Sequence, residues 1–306
     1  MSSTVLFVGM GAVGCLYASL FNDDTHIDCV SHSNSDEIRQ QGITVINPDN
    51  SKRLWKAHSV FSSIDAVPYS PDYIVITTKV LPSINLIPAL RKIISDKTTV
   101  VLLQNGIHVE HPYIEAFPNT PIISGLAFVC ATKTSATTVH HQDYGRAVFG
   151  LYPKGNVAGI MPFINFFSQS TVDILASDDI YYQRFKKLLW NAPFNPLSVI
   201  LKGKNTQELL SIPGQEVHIR CIMKEIQLIA KAEGVHCDDA VIEKHIQDTK
   251  KMKPYKTSMC IDWEHGRSLE SDAILGNAIK CAKKHRLDCP YITDLYNQLN
   301  HFNIEN

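Results

Sequence analysis

Short apolar runs and longer amphipathic stretches alternate through the first half of the chain. Val5–Val8 is an apolar run that ends in glycine, and a helical pattern follows it through Leu20. His26–Val30 gives a second short run. Tyr73–Thr78 (Tyr-Ile-Val-Ile-Thr-Thr) and Thr98–Leu103 (Thr-Thr-Val-Val-Leu-Leu) are β-branched and too short for helices, and Ile122–Phe128 is a further candidate strand. Continuous apolar character in runs this short predicts strands covered on both faces, as in a parallel sheet. Between them, Leu81–Ile94 carries apolar residues at helical spacing and predicts a helix. The alternation as a whole predicts a doubly wound α/β domain.

The pattern then changes. Thr137–Leu151 alternates and predicts antiparallel strands closing the sheet. From about Asp179 onward long helical patterns dominate, over Tyr181–Leu201, Val217–Ala232, Ser258–Ile279 and Tyr291–Phe302. The expected boundary lies near Ser177, giving a sheet domain over residues 1–177 and an all-helical domain over 178–306. No internal repeat or low-complexity linker separates them, so a short join and an intervening cleft are expected.

Composition narrows the partners. A chain of 306 residues suits two domains, and 44% hydrophobic with 19% charged residues is ordinary for a soluble globular protein. A formal net charge of -1 excludes general attraction to nucleic acid or an anionic membrane, so any anion binding must be local. The eight cysteines are scattered without a Cys-x-x-Cys pair, which predicts reduced thiols in a cytoplasmic protein. Neither His108-x-x-His111 nor His140-His141 has a third ligand at a recognisable spacing, so no metal site is expected. The apolar stretch Thr4–Leu20 lacks a basic segment before it and is interrupted by three glycines, unlike a leader peptide. No other run reaches the ~18 apolar residues that a membrane span needs. A monomer and a homodimer both remain open.

The first apolar run leads into Gly9-Met10-Gly11-Ala12-Val13-Gly14. Strand, glycine turn and helix in that order form the dinucleotide fingerprint of a Rossmann-type domain. Gly9 permits the tight turn, Gly11 lets backbone approach a pyrophosphate, and Gly14 lets helix pack on strand. The helix N-terminus adds unsatisfied N–H groups and a partial positive charge. An NAD site usually presents a carboxylate at the end of the second strand for the ribose 2′-OH. Here the chain reads Val30-Ser31-His32-Ser33-Asn34, with Asp36 and Glu37 farther on and Asp28 inside the strand. The missing acid favours NADP(H), with Ser31 and His32 hydrogen-bonding a 2′-phosphate. Lys79, just past Tyr73–Thr78, would supply positive charge.

In the second half, Lys187, Asn191 and Asn195 stand at i, i+4 and i+8 and form one polar stripe on a helix. Two carboxamides and an ammonium on a partly buried face require polar partners, since unpaired burial costs roughly 1–3 kcal/mol each. A polar substrate would satisfy them.

Several motifs in order give a resemblance over nearly the whole chain. They are the glycine turn, Thr78-Lys79 and Gln104-Asn105-Gly106 after strands, Lys187-x-x-x-Asn191-x-x-x-Asn195-Pro-Leu-Ser198, and Thr257-Ser258-Met259-x-x-Asp262 followed by Glu270. With them the sequence resembles the ketopantoate reductase (2-dehydropantoate 2-reductase) family. The resemblance implies NADPH-dependent reduction of the 2-keto acid 2-dehydropantoate to pantoate, a step of pantothenate and coenzyme A synthesis. It implies that Lys187 polarises the keto oxygen and delivers the proton, and that Asn191, Asn195, Asn205 and Ser258 bind the substrate. Asn105 would contact the nicotinamide ribose, Ala131 would line the cofactor, and Glu270 would anchor the cofactor or orient Lys187.

Three departures from the family pattern bear on the pocket. Pro193 should kink the helix between Asn191 and Asn195, Trp190 replaces a smaller residue, and Ile261 stands where glutamine is frequent. A reductase of another 2-keto acid is therefore the alternative within the class. Outside it stands a catalytically silent cofactor-binding regulatory protein, against which the retained Lys187 and Glu270 speak.

Overall fold

A computed structural model describes residues 3–304. The strands in chain order are β1 (Thr4–Val8), β2 (His26–Val30), β3 (Ile43–Ile46), β4 (Lys52–Trp55), β5 (Val60–Phe61), β6 (Tyr73–Ile76), β7 (Thr99–Leu103), β8 (Ile122–Ser135), β9 (Thr138–Leu151) and β10 (Ile174–Ala176). They form one sheet in the order β4-β3-β9-β8-β7-β6-β1-β2-β5, with β10 also pairing β9. From β8 to β5 every neighbouring pair is parallel. β8 and β9 pair antiparallel, as the alternation in Thr137–Leu151 predicts.

The continuous apolar runs are buried on both faces. In β1, Val5 and Phe7 join one core while Leu6 and Val8 join another; in β7, Val101 and Leu103 divide from Val100 and Leu102 in the same way. Alternate side chains of a strand point to opposite faces, so a strand between two covering layers must be apolar throughout.

The helices in chain order are α1 (Ala12–Ser19), α2 (Ser35–Gln41), α3 (Ile87–Leu90), α4 (His111–Ala116), α5 (Met161–Ile164), α6 (Ile180–Ile200), α7 (Thr206–Ser211), α8 (Gln215–Ala232), α9 (Asp239–Lys251), α10 (Ser258–Glu264), α11 (Asn277–Lys284) and α12 (Pro290–Ile304). Two predicted helices are corrected. Leu81–Ile94 is helical only over α3, because Pro82 and Pro88 cannot continue an upstream hydrogen-bond ladder. Ser258–Ile279 is broken after α10, where Gly266 takes a positive φ of 62°, and resumes as a π-helical turn over Asp272–Gly276 leading into α11.

Pro193, where a kink is expected, lies inside a helix that is not interrupted. Helix α6 runs continuously through Pro193 and Pro196. Its Phe185, Leu188, Leu189, Ala192, Phe194, Leu197 and Val199 belong to the helical core. Helices in proteins draw most of their stability from such packing, which here outweighs the ~3 kcal/mol that an internal proline costs.

By contacts the chain divides into two units. One holds residues up to 79, 83–104 and 110–180; the other holds Tyr181 onward together with Val80–Pro82 and Asn105–Val109. Val80–Pro82, after β6, and Asn105–Val109, after β7, thus belong to the helical unit. No helix among the described residues is long and apolar enough to cross a membrane.

Candidate active site

In the sheet unit, the glycine turn follows β1 at the point where the strand order reverses, between β1 and β6. Open α/β sheets bind ligands at this place. Gly9 has a φ of 101° and donates from its N–H to Val30 O at 3.1 Å. A Cβ on Gly14 would lie 2.1 Å from Gly9 O, so α1 can approach the turn this closely only through glycine. Gly11 differs. It caps α1 in extended backbone that any residue adopts, and a Cβ there would meet no protein atom within 4 Å. The protein leaves open, over the first N–H groups of α1, the space that a pyrophosphate against backbone requires.

Around this turn Met10 and Ser31 are buried, Ala12, Val13 and Ala131 half-buried, and His32 exposed. Ser31 is held by its backbone N–H to Phe61 O at 3.0 Å. Lys79 is half-buried two residues past the hydroxyl of Thr77, which donates to Gly9 O. Sequence reasoning missed Lys133 of β8. Its ammonium donates to Met10 O at 2.7 Å and lies 3.4 Å from Asn34 Oδ1, so it joins the glycine turn to the turn after β2. Nothing local marks it, because the contact spans 123 residues.

In the helical unit, α6 carries Lys187, Asn191 and Asn195 on one unbroken face. The Lys187 ammonium donates to Asn105 Oδ1 at 2.8 Å. Its pKa is pulled down to about 7, first by burial and then by the neighbouring Arg184 guanidinium, against the opposing pull of the Glu270 carboxylate. Glu270 in turn accepts from Val80 N–H at 2.9 Å. An amine poised near neutrality among one cation, one anion and one amide is suited to give up a proton.

The Asn105 position is fixed from three sides. Arg184 Nη1 donates to Gly106 O at 2.9 Å, and Asn277 Nδ2 donates to Ile107 O at 2.9 Å. Gly106, at a φ of 99°, would place a Cβ 2.3 Å from Ala273 O in the π-helical turn. Gln104-Asn105-Gly106 is therefore a close-packed support rather than an ordinary surface turn. Arg184 was also missed, although it stands three residues before Lys187 and so on the same helix face.

Asn191 and Asn195 are 5% and 4% exposed, and no hydrogen bond joins either carboxamide to a described residue. Buried polar groups are normally paired, so this pair fits a polar ligand. Ser258 is exposed at the first turn of α10. It is placed by Thr257, which caps that helix and shares a 2.7 Å hydroxyl–hydroxyl hydrogen bond with the buried Ser198. Asn205 also has a structural task. Its side-chain oxygen accepts from the N–H groups of Gln207 and Glu208 and closes a capping box on α7. Only its amide nitrogen remains for a substrate. Trp190 stacks on Phe194 with centroids 4.8 Å apart and donates to Thr249 Oγ1 at 2.9 Å, so its bulk is absorbed by helix packing.

Comparisons with known proteins point to one family. A family model described as ketopantoate reductase PanE/ApbA matches residues 5–154, and one for the ketopantoate reductase PanE/ApbA C-terminal region matches residues 179–303. The 2-dehydropantoate 2-reductase of Nostoc sp. is 33% identical over 298 residues, which cover 95% of this chain and 92% of that one. The crystal structure of 2-dehydropantoate 2-reductase from Methylococcus capsulatus is similar with a TM-score of 0.91 at 33% identity, over 99% of this chain and 97% of that one. The one from Geobacter metallireducens gives 0.90 at 25% identity, over 97% and 99%. With its Rossmann-type sheet, its helical second unit and these relatives, the chain belongs to the ketopantoate reductase family of oxidoreductases.

Proposed function

We propose that the protein reduces 2-dehydropantoate to pantoate with NADPH, with Lys187 as the proton donor. The observation that carries this reading is the environment of Lys187, an amine brought to about 7 and aimed by Asn105.

NADPH supplies a hydride to the keto carbon when bound. Gly9 to Gly14 and the first turn of α1 hold its pyrophosphate; Ser31, His32 and Lys133 meet the 2′-phosphate, Lys79 adds positive charge, and Ala131 lines the adenosine side. As the carbonyl carbon gains the hydride, negative charge grows on its oxygen. Lys187 hydrogen-bonds that oxygen, stabilises the charge and transfers a proton from Nζ, which yields the alcohol and a neutral amine. Asn105 keeps the ammonium in place and Glu270 sustains its protonation. Asn191 and Asn195 hydrogen-bond the substrate carboxylate and hydroxyl, with Ser258 at the opening. Asn205 contributes through the α7 cap that it makes.

The test is NADPH oxidation followed against a panel of 2-keto acids. Highest kcat/KM on 2-dehydropantoate is expected. Preference for another branched 2-keto acid would move the assignment within the reductases, and no oxidation with any of them would overturn it.

A further inference from the structure

Two groups of potential metal ligands occur among the described residues apart from the stripe on α6. One is His108, Glu233 and Cys281. There Glu233 already accepts from Tyr181, Lys284 and His285, so its carboxylate is internally satisfied.

The other group differs. His26 and Asp28 are two residues apart on β2 and so share one face. His58 precedes β5, the neighbouring strand, and its N–H donates to Ile27 O at 2.7 Å, which sets its ring beside that face. His26 Nε2 lies 3.4 Å from Asp28 Oδ2, and His58 Nδ1 lies 3.4 Å from Asp28 Oδ1. The two imidazole centroids are 3.9 Å apart. Tyr69 donates its hydroxyl to Oδ2 and orients the carboxylate. Asp28 is only 2% exposed, and its Oδ1 accepts no hydrogen bond.

We propose that His26, Asp28 and His58 form a site for a divalent transition-metal ion of the zinc class. Tetrahedral zinc at ~2.0–2.1 Å from its ligands holds them roughly 3.3–3.4 Å apart; here each imidazole lies 3.4 Å from its own carboxylate oxygen, His26 from Oδ2 and His58 from Oδ1, and one ligand atom from each residue lies within 4.8 Å of the others, close enough to converge on one ion with a small side-chain adjustment. The ion would give Oδ1 its missing partner and neutralise a buried charge. It would also hold together two imidazole rings whose centroids are 3.9 Å apart and whose planes are tilted by 42°. Tyr69 acts as the outer-shell support that ligating carboxylates usually have. His58 is 64% exposed, so the ion has an entry path and a fourth position open to water.

The site stands at the N-terminal end of β2, the opposite end of the parallel strands from the glycine turn. Four residue steps separate His26 from Val30, about 13 Å along a strand at ~3.3 Å per residue. The ion is therefore structural, tying the β2 edge to the segment entering β5, and takes no part in reduction. Sequence reasoning expected no metal because it sought ligands close together in the chain; here the third ligand lies 30 residues downstream and is delivered by strand pairing.

The experiment is calorimetric titration of the full chain with zinc sulfate after dialysis against chelator, beside the variants His58→Ala and His26→Ala. Wild type is expected to bind one equivalent that both variants lose, and its melting temperature is expected to rise with zinc while theirs does not. His58 is on the surface, so its variant folds, and unchanged NADPH-dependent activity in both variants confirms that the reductive site is intact. Equal zinc binding by wild type and variants would overturn the proposal, as would absence of binding by the wild type.

Discussion

Arg184 Nη1 donates to the carbonyl oxygen of Gly106 at 2.9 Å and so fixes the backbone beside the Asn105 that accepts from Lys187. The bond locks the backbone next to Asn105, the acceptor of Lys187. The same guanidinium, 1% exposed, lowers the Lys187 pKa by like-charge repulsion that burial leaves poorly screened. A residue three positions away on the helix thus helps hold the acceptor of Lys187 in place and adds, after burial, to the lowering of its pKa.

The pH dependence follows. With Lys187 as the proposed donor in its protonated form, kcat/KM for the keto acid is expected to fall as pH rises through about 7, with one proton lost. Glu270 pulls the pKa upward, so Glu270→Gln moves the falling limb to lower pH. Pantoate oxidation, which uses the neutral amine, rises through the same range. A limb that stays in place in Glu270→Gln would show that the carboxylate does not act on Lys187.

The glycines separate packing from ligand contact. Gly14→Ala places a Cβ 2.1 Å from Gly9 O and is expected to destabilise the protein and abolish dinucleotide binding together. Gly11→Ala meets no protein atom, so its stability stays within about 0.5 kcal/mol of wild type while cofactor affinity drops. Denaturant titration and fluorescence titration with NADPH measure the two effects.

Asn205→Ala removes both capping hydrogen bonds of α7 and is expected to cost about 1 kcal/mol of stability. Asn205→Asp keeps the acceptor and most of that stability. Equal melting temperatures for Asn205→Ala and wild type would contradict the capping role.

Lys133→Ala removes the cation between the glycine turn and the turn after β2. NADPH affinity is expected to fall roughly tenfold or more, as for a lost charged hydrogen bond, with NADH affinity little changed. Tighter NADH than NADPH binding by the wild type would count against the cofactor assignment.

Much of this was legible in the residues. The two-faced apolar runs read as central parallel strands because burial on both sides permits nothing else, and the glycine turn read correctly because it sits between strand and helix. The spacing of Lys187, Asn191 and Asn195 gave the stripe on α6. Local rules give the cost of an internal Pro193 but not the packing of α6 in the helical core that offsets it. They could not show that Asn105 accepts from Lys187 or that Lys133 reaches Met10, since those contacts are made by the tertiary fold. The place of Asn205 before Thr206-Gln207-Glu208 also makes it a readable capping box.

The most direct measurement is kcat for NADPH-dependent reduction of 2-dehydropantoate by Lys187→Ala, with the NADPH Kd determined on the same sample. A fall of about 10²–10⁴-fold in kcat with Kd nearly unchanged is expected of a lost general acid. A kcat within tenfold of wild type would place the proton donor elsewhere.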